Sequence, residues 1–162
     1  MSFDAYLKIE GIPGEALDAN HKDWIELTDF HYGIMQAVSG TASSAGGATI
    51  GGASCPDLFI AKYLDRASPK LFEACASGQH FKSMVIHVSR AGGDQQKYME
   101  IKLEEVIISG VNANRGGEFP TESVTLNYGR IAIKYIQQNR ATGKGAGAIA
   151  GGWDRIANKK FA

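Results

Sequence analysis

Chemistry in this sequence would have to start from four histidines, two cysteines and one glycine-rich hexad. His21, His31, His80 and His87 form no HxH or HExxH pair, the spacings that put two imidazoles on one face of a strand or helix for a metal. Cys55 and Cys75 show neither CxxC nor zinc-ligand spacing, and neither neighbours a histidine in sequence. No GxSxG elbow presents a serine nucleophile. Gly145-Ala146-Gly147-Ala148-Ile149-Ala150 satisfies GxGxx[GA], but a dinucleotide site needs that turn to follow a buried strand and open a helix. Here it follows a polar stretch and runs into Gly151-Gly152, poor helix material. The other glycine-rich segment has no GK[ST] to cradle phosphate. Tyr128, Arg130 and Lys134 are too sparse to stack and neutralise a single strand of nucleic acid. The reading is a chain without catalytic, metal or cofactor residues, and with no nucleic-acid partner.

The elements that would position any site are strands. Residues 81–137 hold three runs of alternating apolar residues: Met84-Ile86-Val88, Met99-Ile101-Leu103 and Val124-Leu126-Tyr128. That is the period-two signature of strands with one buried face. Arg90-Ala91-Gly92-Gly93-Asp94-Gln95-Gln96 joins the first two, and its Gly-Gly-Asp centre suits a tight hairpin. The alternation then changes phase. It steps from Leu103 to Val106 and Ile108, and from Tyr128 to Ile131, Ile133 and Tyr135 with Gly129 at the change. Residues 24–38 do the same, from Ile25 and Leu27 to Phe30, Tyr32 and Ile34. A three-residue step in a period of two requires an extra residue or a sharp bend. Three such steps predict a mainly β fold, a two-sheet β-barrel whose long strands bend from one wall to the other.

With 162 residues, the chain fits a single domain over 1–162 that buries roughly 70% of its unfolded surface. Charge balances overall at 17 basic and 17 acidic residues, so bulk attraction to nucleic acid or an anionic membrane is not implied. The ends differ sharply. Residues 1–38 carry seven acids and two bases, a net of −5, whereas 129–162 carry seven bases and Asp154 alone, a net of +6. Either these ends neutralise each other within one monomer, or they meet across subunits, where opposite fields fix register. No apolar run approaches the roughly 20 residues that span a bilayer, and membrane insertion is not expected. Met1-Ser2-Phe3-Asp4 leads straight into an alternating strand, so no signal peptide is read. A chain folded in the cytoplasm keeps both thiols reduced, and Cys75 reads as a small buried hydrophobe.

In chain order, residues 3–10 alternate as a first strand, closed by Gly11-Ile12-Pro13-Gly14, and 15–22 form a polar loop. Residues 39–54 carry no charge and almost no bulk, which predicts an extended, flexible loop suited to pairing with another chain. After a short strand near 58–63 comes one helix over 68–77. Ser68 serves as its cap, Pro69 its first position and Gly78 its close. Leu71, Phe72 and Cys75 should face the barrel. From residue 139 to 151 the composition turns glycine- and alanine-rich again, and Trp153 reads as an anchor for the last segment. His31 and His87 fall opposite the strongest apolar positions and read as solvated.

The stretch Lys62-Tyr63-Leu64-Asp65-Arg66-Ala67-Ser68-Pro69-Lys70-Leu71-Phe72-Glu73-Ala74-Cys75-Ala76-Ser77-Gly78 resembles the KYxDxxSPxLxxxCxxG segment of the haemolysin-coregulated protein family, the tube protein of bacterial type VI secretion. Leu7-Lys8-Ile9-Glu10-Gly11-Ile12-Pro13-Gly14-Glu15, Arg90-Ala91-Gly92-Gly93, Glu122-Ser123-Val124-Thr125-Leu126-Asn127-Tyr128 and Gly152-Trp153-Asp154 are similar to family segments in the same order. The resemblance gives Lys62, Tyr63, Asp65, Ser68, Pro69, Leu71, Cys75 and Gly78 a structural role. It implies homohexameric rings stacked into a hollow tube, capped by a spike protein and expelled by a contractile sheath, with small effector proteins in the lumen. Export through that apparatus, from the cytoplasm to the exterior or a target cell, needs no cleaved signal. The 39–54 segment corresponds to a loop reaching the next ring, with Gly46, Gly47, Ile50, Gly51 and Gly52 as its stacking residues. His31, beside Phe30 and Tyr32, is the expected cargo-facing position. A monomeric ligand-binding barrel with the glycine-rich loop as lid is the alternative.

Overall fold

The computed structural model describes residues 3–38, 50–92, 96–142 and 145–162. Its elements in order are β1 (Phe3–Ile9), β2 (Ile25–Leu27), β3 (Asp29–His31), β4 (Met35–Val38), β5 (Ile50–Ser54), β6 (Leu58–Tyr63), α1 (Ser68–Ser77), β7 (His80–Arg90), β8 (Lys97–Asn114), β9 (Thr121–Gln138), β10 (Gly145–Asp154) and β11 (Lys159–Lys160). The fold is mainly β, as the alternating runs predict.

The two 18-residue strands β8 and β9 are the scaffold, antiparallel from Met99↔Tyr135 to Asn114↔Thr121. Each serves both walls. Along β8, Lys97–Ile107 also pairs with β7. Along β9, Thr121–Leu126 pairs with β6 and Arg130–Gln138 with β10. The bend lies where the alternation changes phase. Leu103 and Val106 are both buried, and between them Glu105 takes φ 54°, a left-handed conformation. Opposite it, Gly129 leaves no room for a side chain: an added Cβ would stand 3.0 Å from the Cβ of Glu105 and 2.7 Å from Ile156 Cδ1. One strand turns by positive φ and the other by lacking a Cβ, so both kink at one level of the sheet.

The third phase step also marks a real break. β2 pairs with β1 and β3 pairs with β6, with only Thr28 between them, and its N–H donates to Ala61 O at 2.8 Å. The hydrogen-bonded path β11-β10-β9-β8-β7-β1-β2 is open, with β6 and β3 attached to it beside β9. The chain itself bridges β2 to β3 and so nearly closes the barrel. Leu7, Ile25, Leu58, Ile60, Ile86, Ile101, Leu103, Val124 and Leu126 are fully buried between the walls. Leu71 and Ala74 of α1 join them.

Several expectations are corrected. Residues 24–38 are three strands rather than one bent strand, because the chain changes partner at Thr28 and leaves the barrel after His31. Residues 50–54 are not loop but β5, paired with β4 as a separate two-stranded ribbon. The glycine- and alanine-rich run after residue 144 is β10, held by backbone pairing with β9 from Gly145↔Gln138 to Asp154↔Arg130. Apart from exposed Ile149, the side chains before Trp153 are too small to write an alternating pattern. On α1, Phe72 is 67% exposed, so the helix packs through Leu71 and Ala74, with Cys75 partly buried against the core.

Candidate assembly surfaces and the clusters that shape them

The helix motif folds around a buried ammonium. Lys62, on β6, has no exposed surface. Its Nζ donates toward Glu122 Oε1 at 2.6 Å, Asp65 Oδ1 at 2.8 Å, Tyr63 O at 2.9 Å and Ser68 Oγ at 3.2 Å. Asp65 also accepts the N–H of Ala67, and the Ser68 hydroxyl donates to Glu122 at 2.9 Å while accepting the N–H of Asp65. Ser68 therefore does not cap α1, contrary to the sequence expectation. Its oxygen is committed to the lysine cluster, and Ala67 at the N-cap makes no side-chain cap. Pro69 stands in the first turn, and Gly78 closes the helix at φ 64° with its N–H on Cys75 O. The exposed ring of Tyr63 meets Phe119 edge-on at 6.1 Å. A buried lysine is tolerated only when every proton has an acceptor, and here the acceptors come from β6, the α1 turn and β9.

The C-terminal Gly152-Trp153-Asp154 segment has equally local reasons. A Cβ on Gly152 would overlap the carbonyl oxygens of Phe161 and Ile131, so only glycine lets β10 pass there. Trp153 packs half-buried against the core. Asp154 accepts the N–H groups of Ile156 and Ala157 at 2.9 Å each and the Nε of Arg130 at 3.1 Å. The Ala157 bond first, with the Arg130 pairing, holds its carboxyl below the usual range.

A second cluster has no counterpart in the sequence motifs. His21 and His87, 66 residues apart, meet with Nε2 of one 3.0 Å from Nδ1 of the other. Beyond His21, Asp18 Oδ2 lies 2.6 Å from Nδ1; beyond His87, Glu100 Oε2 lies 3.6 Å from Nε2. Tyr6 stacks on His21 at 4.4 Å and Trp24 lies 4.7 Å from the His87 ring. His87, expected to be solvated, is instead largely covered, its side chain 19% exposed. Burial, reinforced by Lys97, lowers its pKa to about 4. Burial and neighbouring Asp4, Asp18 and Glu26 push Tyr6 up to about 12. Glu100 is held below the carboxylate range by its hydrogen bond from Lys97 at 2.6 Å.

The remaining candidates are surface positions. His31 is exposed on β3, stacked on its register partner Phe59 at 4.7 Å. Gly51 and Gly52 lie in β5, where Gln36 donates to Gly51 O, and Ile50 pairs with Val38; Gly46 and Gly47 lie outside the described residues. The β4–β5 ribbon exposes Met35 and Val38 at 63% and 59%. β10 pairs with β11 at Trp153 and Asp154, and Gly152 O accepts the N–H of Phe161 at 3.1 Å, so its outer edge over residues 145–151 has no partner strand among the described residues. Among those residues, too, no ion pair joins an acid of 3–38 to a base of 129–162. Exposed Glu26 sits on β2 and exposed Lys159 and Lys160 on β11, the two terminal strands of the sheet path.

Comparison with known proteins agrees with this architecture. The family described as "Type VI secretion system effector, Hcp" matches residues 6–135. Protein hcp1 of Pseudomonas aeruginosa is 34% identical over 157 residues, 95% of this chain and 96% of that protein. A solved type six secretion system protein superposes with a TM-score of 0.91 at 30% identity, covering 99% of this chain and all of the other. Hcp1 of Salmonella typhimurium gives 0.78 at 30% identity, again over 99% of this chain and all of its own. The barrel, the lysine-centred helix motif and these relatives together place the chain in the Hcp family of the type VI secretion system.

Proposed function

We propose that the chain assembles head to tail into six-membered rings that stack into the hollow tube of a type VI secretion system. The contractile sheath drives the tube outward behind a spike, and small effector proteins ride in its lumen. The role is structural and asks no catalysis of the chain. Synthesis in the cytoplasm and exit through the apparatus follow from the same reading.

The observation that carries it is the placement of opposite charge, without an ion-pair partner among the described residues, on the two terminal strands of one sheet path: Glu26 on β2 against Lys159 and Lys160 on β11. A surface that meets a different, complementary surface on the next copy is heterologous, the contact that closes rings and builds filaments. The open β10 edge fits the same role, since an unpaired strand edge is a template for another chain. The β4–β5 ribbon, with Gly51 and Gly52, continues into the segment holding Gly46 and Gly47 and is the axial contact between rings. His31 faces cargo.

A charge swap tests the ring contact. Lys159→Glu with Lys160→Glu should raise the concentration needed for assembly about tenfold at low salt, as expected for two exposed pairs of up to about 1 kcal/mol each. Mixing with a Glu26→Lys, Asp29→Lys variant should restore it. Assembly unaffected by the first variant at low salt contradicts the proposed contact. His31→Glu should lower the amount of effector co-purifying while rings stay intact; unchanged cargo removes His31 from the lumen.

A further inference from the structure

We propose that the Asp18–His21–His87–Glu100 chain is an acid-released latch, holding the loop of residues 10–24 on the barrel wall and letting it go when both imidazoles are charged.

The loop is built to hinge. It folds on itself through Gly14 N–H to Asp23 O at 2.8 Å, Asp23 N–H to Ala16 O at 2.9 Å and Ala16 N–H to Trp24 O at 3.0 Å. Asp23 sits at φ 65°, in the left-handed region that aspartate adopts more readily than most residues with a side chain. Ile12 at its start is buried in the core, and beyond it two polar side-chain anchors fix the loop to the rest of the fold. One is Arg66, which reaches Gly14 O and pairs with Asp23 at 3.0 Å across a half-exposed surface. The other is His21, 5% exposed and lying between Tyr6, Trp24 and His87.

The His21–His87 contact holds while one proton lies between the rings, carried by either of them. Two ring nitrogens 3.0 Å apart make a hydrogen bond when a single proton lies between them. With both rings doubly protonated, two N–H groups point at each other and two like charges face across the same gap. The attraction becomes repulsion, and it is little screened because Tyr6, Trp24 and the loop exclude water.

The surrounding charges do not rescue the doubly protonated pair. From β1, Tyr6 and Lys8 face the cluster; from β2, Glu26; from β8, Lys97 and Glu100; the loop itself supplies Asp18. Asp4 lies near Tyr6, and Lys134 of β9 acts on Glu100. Glu100 is the one carboxylate placed to welcome a charged His87, but at 3.6 Å it is no hydrogen-bond partner, and Lys97 already holds the same oxygen at 2.6 Å. A His87 whose pKa is depressed to about 4 favours the latched state above the ordinary histidine range near 6.5. That preference is lost as pH falls from about 6.5 to about 4.

Amide hydrogen exchange of the whole chain, corrected for intrinsic rate, tests the latch. Between pH 7 and pH 4.5 the amides of residues 14–24 should lose protection about tenfold, while those of β8 and β9 hold theirs. His87→Gln gives His21 a polar amide in place of a titrating ring, and should reduce the loss to about twofold or less. Nitrogen NMR of the imidazoles in the unsubstituted chain gives a second readout, independent of any variant's folding. The His87 ring should titrate well below the ordinary histidine range, in step with loop exposure. Loop protection unchanged at pH 4.5, a loss shared equally by β8 and β9, or a His87 ring that titrates in the ordinary histidine range overturns the proposal.

Discussion

The Lys62 and His21–His87 clusters do the same mechanical work with opposite chemistry. Each pins a connecting segment to the barrel through buried polar atoms: the α1 turn in one case, the loop of residues 10–24 in the other. At Lys62 a permanent cation is surrounded by four oxygens within 3.2 Å, two of them carboxylate. At the histidines the linking contact depends on a single proton between two nitrogens. The first is a lock that depends on no particular tautomer, because the ammonium meets only oxygen acceptors. The second is conditional. A fold can thus fasten one face permanently and leave another responsive with clusters of similar size, the difference resting on which side chain is charged at neutral pH.

The largest effect should come from breaking the lock. Lys62→Ala strands Glu122, itself 3% exposed, as a buried charge without its cation, a loss of about 3–5 kcal/mol. Urea unfolding should show it as a lower midpoint at unchanged slope. Lys62→Met combined with Glu122→Leu should recover most of that loss, because an apolar pair can stand in for a buried ion pair. A double variant no better than the single one would mean that Asp65 and Ser68 depend on the lysine as much as Glu122 does.

Smaller, and different in kind, is the pH response. Stability of the native chain should fall as pH drops from 6.5 toward 4, since the unfolded chain takes up the proton that folded His87, with its pKa near 4, resists. The His87→Gln chain should show a flatter curve across that window, whereas a Lys62→Met, Glu122→Leu chain should keep the native slope. Equal flattening in both would dissolve the contrast between the clusters.

The same contrast explains what was legible in the sequence. Tyr63, Asp65 and Ser68 stand within six residues of Lys62, so that cluster writes itself as a motif, with Glu122 as its one distant member. His21 and His87 are brought together by the β1–β7 pairing and by a loop with no periodic pattern, and no spacing rule finds them. The bends at Glu105 and Gly129 were readable because a phase change in a period of two is a local record of a three-dimensional kink. β10 was not readable as a strand. Strand patterns record side chains meeting a core, and Gly145–Gly152 is held by its backbone instead. Ser68 was misassigned for a related reason: a hydroxyl at a helix start is a good cap unless a buried cation competes for it.

The most direct test of the tube reading is the mass of the native protein in solution over a range of concentration and salt. The prediction is a closed particle of six times the 17.3 kDa chain, dissociating as salt screens the Glu26 and Lys159–Lys160 contacts. A chain that stays monomeric at every concentration in low salt would contradict it.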